Sequence, residues 1–343
     1  MVLPVRIAAA LVLPLVLVGC RAAFRYPVEP YTSERPKQET LLKGMNPFIL
    51  TNLVSTRVVV EIDWIEGHEP HPKAIEGIKE TLREVCPPDK EIVVYLDDEI
   101  PLSEWEAASG DFLERAPALA AHLDHLPDVG SGEELIWVLF VPGRDELLGW
   151  ASQVGVERDD RLSMVSTLFV FPDRIKKQAQ LWIGPGRIQR AVAVHELGHE
   201  LGLVSHPDHQ ERGNPGHCTE PHCVMAHQRL RGQFYNALPA LFAGKIPDAY
   251  GDKCRADLET AQRLWHERAA TDPGFVDRLG AQREIRELRE QACWYGERQR
   301  WGEAIDRFKH ARGLAEQFRD VAEETALEDD ERFLKLYRFC PGD

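Results

Sequence analysis

The sequence predicts an α+β fold: a twisted mixed sheet around one central helix, followed by a C-terminal α-helical region. Three observations support this class. Between 48 and 185, short apolar runs alternate with helical stretches. One of those runs, 135–141, is continuously apolar, as expected of a central strand buried on both faces. Beyond about 254 the composition turns helical and heavily charged, and no strand pattern recurs.

Taken in order, 57–65 reads as a strand, 73–85 as a helix and 91–96 as a second strand. The apolar run 135–141 is the buried strand, and 147–155 and 164–171 supply two more. Gly184, Pro185 and Gly186 break the chain before the next helix. Near the C-terminus, 294–311 resembles one tetratricopeptide-type helix pair, with Ala304, Phe308 and Ala311 at helical spacing around a short turn. Such repeats need stacked neighbours. The plainer expectation is a helical hairpin packed on the main domain; the other is a module that binds a protein partner.

The N-terminus has the form of a targeting signal. Arg6 precedes an apolar run, 7–18, too short for a comfortable membrane span, and Pro4 and Pro14 weaken a spanning helix further. Leu17, Val18, Gly19 and Cys20 resemble a bacterial lipobox, whose cysteine is lipidated and becomes the mature N-terminus. Arg21 in place of an aspartate implies, by likeness to Gram-negative lipoproteins, the outer membrane, facing periplasm or cell surface. The expected organisation is a signal peptide at 1–19, a lipid-anchored tether at 20–45 rich in prolines, a main domain at 46–253 and a helical region at 254–343. The formal charge of −15 disfavours nucleic acid, which needs clustered Lys and Arg to neutralise phosphates.

The chemistry is concentrated in His195, Glu196, His199 and Gly202, which spell HExxHxxG. Residues four apart share a helix face, so His195 and His199 project together and can grip one metal ion. Glu196 then lies beside the water that the metal activates, as general base. Neutral imidazoles hold Zn2+ and leave a coordination position open; zinc brings the pKa of its water to about 7. The competing expectation is an ordinary amphipathic helix with exposed histidines. Ala191, Val192, Val194, Leu197 and Leu201 favour a buried helix instead, and Gly202 allows the chain to bend back toward the metal. Glu200 shares the helix, but the position after the first histidine is the one that faces the activated water.

HExxHxxG resembles the metzincin clan of zinc endopeptidases. In that clan a third histidine falls three residues after the glycine, followed by a methionine turn beneath the metal. Ser205 occupies that register here, and His206 is one residue late. Further on, His217, Cys218, Cys223 and Met225 have the form H-C-x4-C-x-M, similar to the corresponding run in archaemetzincins. The resemblance implies a metzincin-like zincin domain with His217 as third ligand and Met225 as the methionine turn. His206 and His209 are the other candidates for that ligand. The intervening 203–216 has the composition of a surface loop, and loop insertions cost little. His227 stands where several metzincins carry a tyrosine.

Archaemetzincins bind a second zinc through cysteines that include a later CxxC pair; this chain has Cys218, Cys223 and then a lone Cys254. Setting Cys20 aside, Cys86, Cys218, Cys223, Cys254, Cys293 and Cys340 are an even number compatible with disulfides outside the cytoplasm. Cys218, Cys223 and Cys254 are therefore candidates for disulfides or for a second metal. In the family, substrate lies extended along an edge strand, a role that 147–155 fits. The leading functional expectation is a lipid-anchored zinc endopeptidase acting on peptides or proteins. The alternatives are a gluzincin with a downstream glutamate ligand such as Glu259, or a non-catalytic surface lipoprotein with a structural zinc.

Overall fold

The computed structural model describes residues 38, 41–42, 44–127, 132–143, 147–158, 161–179, 184–212, 214–226 and 246–318. The expected signal peptide and lipidation site Cys20, most of the expected tether, His227 and Cys340 lie outside these residues. The fold is α+β, with a five-stranded mixed sheet in the order β2-β1-β3-β5-β4. The strands are β1 (Arg57–Ile65), β2 (Glu91–Ile100), β3 (Glu133–Phe140), β4 (Gly149–Arg158) and β5 (Arg161–Val170). All neighbours pair in parallel except β4, which runs antiparallel to β5 at one edge.

Alternation along the central strands assigns each face its own core. Ile136, Val138 and Phe140 of β3 join one apolar cluster, while Leu135, Trp137 and Leu139 join the other. That is why this strand reads as an unbroken apolar run. The first face is covered by α2 (Pro72–Val85) and α6 (Pro185–Glu200), which pack on each other. The second face is covered by the short α3 (Leu102–Ala107), α4 (Phe112–Arg115) and the 3-10 turn Ala116–His122. A four-residue α1 (Pro47–Leu50) precedes the sheet, and α5 (Pro172–Gln178) joins β5 to α6.

Several boundaries differ from expectation. Strand β2 runs on to Ile100 through Asp97, Asp98 and Glu99, which an edge strand tolerates because one side meets solvent. The triplet at 184–186 starts α6 instead of breaking the chain: Gly184 is the N-cap and Pro185 the first helical residue, where a missing N–H costs nothing. Three long helices follow, α7 (Asp252–Thr271), α8 (Phe275–Glu297) and α9 (Trp301–Gln317). Helices α8 and α9 form a hairpin closed by Ile285, Leu288 and Ala292 against Phe308, Ala311 and Ala315. The hairpin docks on the β4–β5 end: Gln291 donates to the Leu162 carbonyl at 2.9 Å and Arg300 pairs with Glu157 at 2.6 Å. No helix among the described residues is long and apolar enough to cross a membrane.

Candidate metal centre

Helix α6 ends where the motif requires a bend. The Leu203 N–H donates to the Gly198 carbonyl at 2.9 Å and the Gly202 N–H to the His199 carbonyl at 3.0 Å, with Gly202 at φ +72°. This is a Schellman cap, and its left-handed residue is glycine for the usual steric reason. A side chain there would also strike the Gly44 carbonyl, which crosses the helix end.

The released chain returns through a tight turn beneath α6. The Cys218 N–H donates to the Met225 carbonyl at 2.8 Å and the Ala226 N–H to the Cys223 carbonyl at 3.0 Å. Met225 is fully buried, and its sulfur abuts Gly198, so a Cβ at Gly198 would overlap it. Tyr250 closes the same space and donates to the Val194 carbonyl at 3.1 Å.

Three imidazoles converge above this turn. His195 and His199 bring their Nε2 atoms to 3.1 Å of each other. The His217 ring centroid lies 5.2 Å from that of His195 and 5.1 Å from that of His199. One nitrogen from each ring falls within 4.8 Å of the other two. Two nitrogen ligands of a tetrahedral zinc ion stand about 3.3 Å apart, so the spacing of His195 and His199 suits a shared ion. The turn also sets a tautomer. His195 Nδ1 lies 2.7 Å from the Val224 carbonyl, which can only accept, so Nδ1 carries the proton and Nε2 keeps its lone pair.

Glu196 is 7 % exposed, and burial pushes its carboxyl up to about 8. A buried carboxylate is costly without a nearby cation, which a metal ion held by the adjacent histidines would supply. Gly149, the first residue of β4, passes so close that a Cβ there would meet Glu196 Oε1 at 2.7 Å. The edge strand therefore begins against this carboxyl. Glu200 is turned away: it accepts a hydrogen bond from Ser166 on β5, and burial raises its pKa.

The other candidates for the third ligand lie elsewhere. His206 stacks on His209 at 6.2 Å and accepts from the Asp208 N–H at 3.3 Å. Glu259 is exposed on α7. His209 is 3 % exposed, although the surrounding loop was expected to lie at the surface. Its Nδ1 lies 3.3 Å from the Cys218 sulfur and its Nε2 2.6 Å from Asp257. Burial opposes the charged form of this imidazole, but Asp257 and Cys218 together push its pKa up to about 9. No local pattern links His209 to these partners, which come from the far side of the turn and from α7. Cys86, Cys218, Cys223 and Cys254 are buried free thiols, so none of the expected disulfides joins these four. Comparison with known protein families, with curated proteins and with solved structures finds no match to this chain.

Proposed function

We propose that this protein is a zinc-dependent endopeptidase of metzincin-like build, with His195, His199 and His217 as metal ligands and Glu196 as general base. The proposal includes a lipid anchor at Cys20 that holds it at a bacterial membrane. The observation that carries the reading is the convergence of three imidazoles, each partly open to solvent, beside one buried carboxyl. Zinc held there would supply Lewis acidity toward a peptide carbonyl and lower the pKa of water to about 7.

The chain's own groups account for the remainder. The Val224 carbonyl orients His195, and Met225 fills the floor under α6. Glu196 takes a proton from water and returns it to the leaving amine. The antiparallel edge strand β4, starting at Gly149 beside Glu196, offers backbone N–H and C=O groups to an extended peptide. Recognition through backbone groups alone would give little side-chain selectivity.

The gluzincin alternative loses support from the exposed position of Glu259 and from the place of His217 in the cluster. A purely structural centre has no use for Glu196. Replacing Glu196 with glutamine separates the readings: Glu196→Gln should cut peptide hydrolysis by about 10²- to 10⁴-fold while zinc content stays unchanged. Undiminished hydrolysis in that variant would overturn the proposal.

A further inference from the structure

We propose that Trp150 makes the site selective for peptides that carry a large apolar side chain, aromatic above all, next to the cleaved bond. The inference rests on the peptidase reading and adds a side-chain preference to it. Among the described residues the large hydrophobic side chains that stand exposed are Leu96, Leu147 and Trp150. Leu96 belongs to β2, at the far edge of the sheet. The other two flank the start of β4, where Gly149 abuts Glu196. Apolar side chains exposed singly call for no explanation, but a pair beside a buried carboxyl marks a place where something apolar is covered.

The strand fixes where the indole points. A Cβ at Gly149 would meet Val192 and Glu196 on α6, and Ala151 packs into the same core, so both face that helix. Trp150, between them, faces the other side of the sheet. There its ring stands edge-on to Phe112 of α4, with centroids 6.4 Å apart. Phe112 in turn packs edge-on against Phe169 at 4.9 Å and Phe171 at 5.2 Å, both of them buried. The indole therefore has an aromatic base and, at 41 % exposure, an open flank. A ring already seated in this way has little freedom left to lose when a ligand covers it.

Backbone register places a peptide side chain on that flank. The Phe171 N–H donates to the Leu148 carbonyl at 3.0 Å, and Trp150 pairs with Phe169 two residues further along. In an antiparallel ladder hydrogen-bonded pairs alternate, so Leu148 and Trp150 turn their backbone groups toward β5. Gly149 and Ala151 turn theirs toward the free edge. A peptide added antiparallel to β4 would bond to Gly149 and Ala151 and leave Trp150 at a non-hydrogen-bonded position. Cα atoms are closest at such positions, about 4.5 Å apart, and the facing side chains touch. The peptide residue opposite Gly149 would face Glu196, and its neighbour opposite Trp150 would lay its side chain against the indole.

The probes are two extended peptide pools with randomised flanks, one with Phe and the other with Ala at the fixed central position. Binding is read as retention on the zinc-loaded full chain carrying Glu196→Gln, and cleavage as kcat/KM of the parent. The Phe pool should be favoured by about 3- to 10-fold in both, the worth of one aromatic pair. Trp150→Ala should erase the preference with zinc content unchanged, and Trp150→Phe should keep most of it. Cleavage without preference for Phe, or a preference that survives Trp150→Ala, would overturn the inference and leave the peptidase standing. Retention of the Phe pool that Trp150→Ala abolishes, in a parent that cleaves neither pool, would support docking at Trp150 and defeat the peptidase. Retention of neither pool would overturn the inference.

Discussion

His217 and Cys218 are neighbours in the chain and belong to two clusters of opposite character. His217 joins two other partly exposed imidazoles beside a buried carboxyl. Cys218 joins two other sulfurs and one imidazole, all buried, with a carboxylate only behind the imidazole. The difference is one of access. Three nitrogen donors leave a metal with a position that water or substrate can fill, whereas four buried donors leave none. One short turn can serve both because alternate residues project to opposite sides of it.

Several changes would break or sharpen this contrast. The largest effect on stability should follow the paired change Cys218→Ser with Cys254→Ser. Both sulfurs are buried, at 2 % and 0 % exposure, so exchanging them for hydroxyls should cost on the order of several kcal/mol in denaturant or thermal melts. The paired change His195→Ala with His199→Ala should cost much less, because an open site braces fewer segments. Equal losses would erase the distinction between the clusters.

Gly198→Ala comes next. Its Cβ would strike the Met225 sulfur, and overpacking of this kind costs about 1–3 kcal/mol. Zinc should then be held more weakly at the histidine cluster, as metal titrations of the variant would reveal. Ala151→Pro should spare the zinc content. Removing one backbone donor from β4, and disturbing its pairing with Leu168, should raise the peptide KM by roughly 3- to 10-fold, the worth of one or two hydrogen bonds. An unchanged KM would show that substrate does not lie along this edge.

The smallest effect on metal content should come from a group outside both clusters, which serves as a control. Asp63 is buried against Trp137, and burial, aided by the charges of Glu61 and Asp97, pushes its carboxyl up to about 7 against the opposing hydrogen bonds from Asp98 and Trp137. The folded chain therefore prefers the protonated form. The stability this group contributes is complete below its unfolded pKa of 3.8 and declines as pH rises through about 7. Asp63→Asn should flatten that part of the stability-versus-pH curve and leave the zinc content unaltered.

Local pattern made much of this molecule legible. Strand 57–65 was readable from end to end because Val58, Val59, Val60 and Ile62 lie in a strand flanked on both sides by others. The HExxHxxG helix was readable because all its donors lie within one helix and its cap. Edge strand β2 was read short, since its polar second half is stabilised by pairing rather than by apolar burial. Helices α3 and α4, at six and four residues, are too brief to show a period. His209 is legible only as a candidate third ligand in a loop, because its actual support is remote: Asp257 lies 48 positions away. A composition typical of a surface loop concealed a residue that the turn and α7 draw inward.

The most direct test of the central claim is an anomalous difference map at the zinc edge, from crystals of the full chain grown without added metal. The account predicts a peak among His195, His199 and His217. Crystals whose map is featureless at the three imidazoles would contradict it.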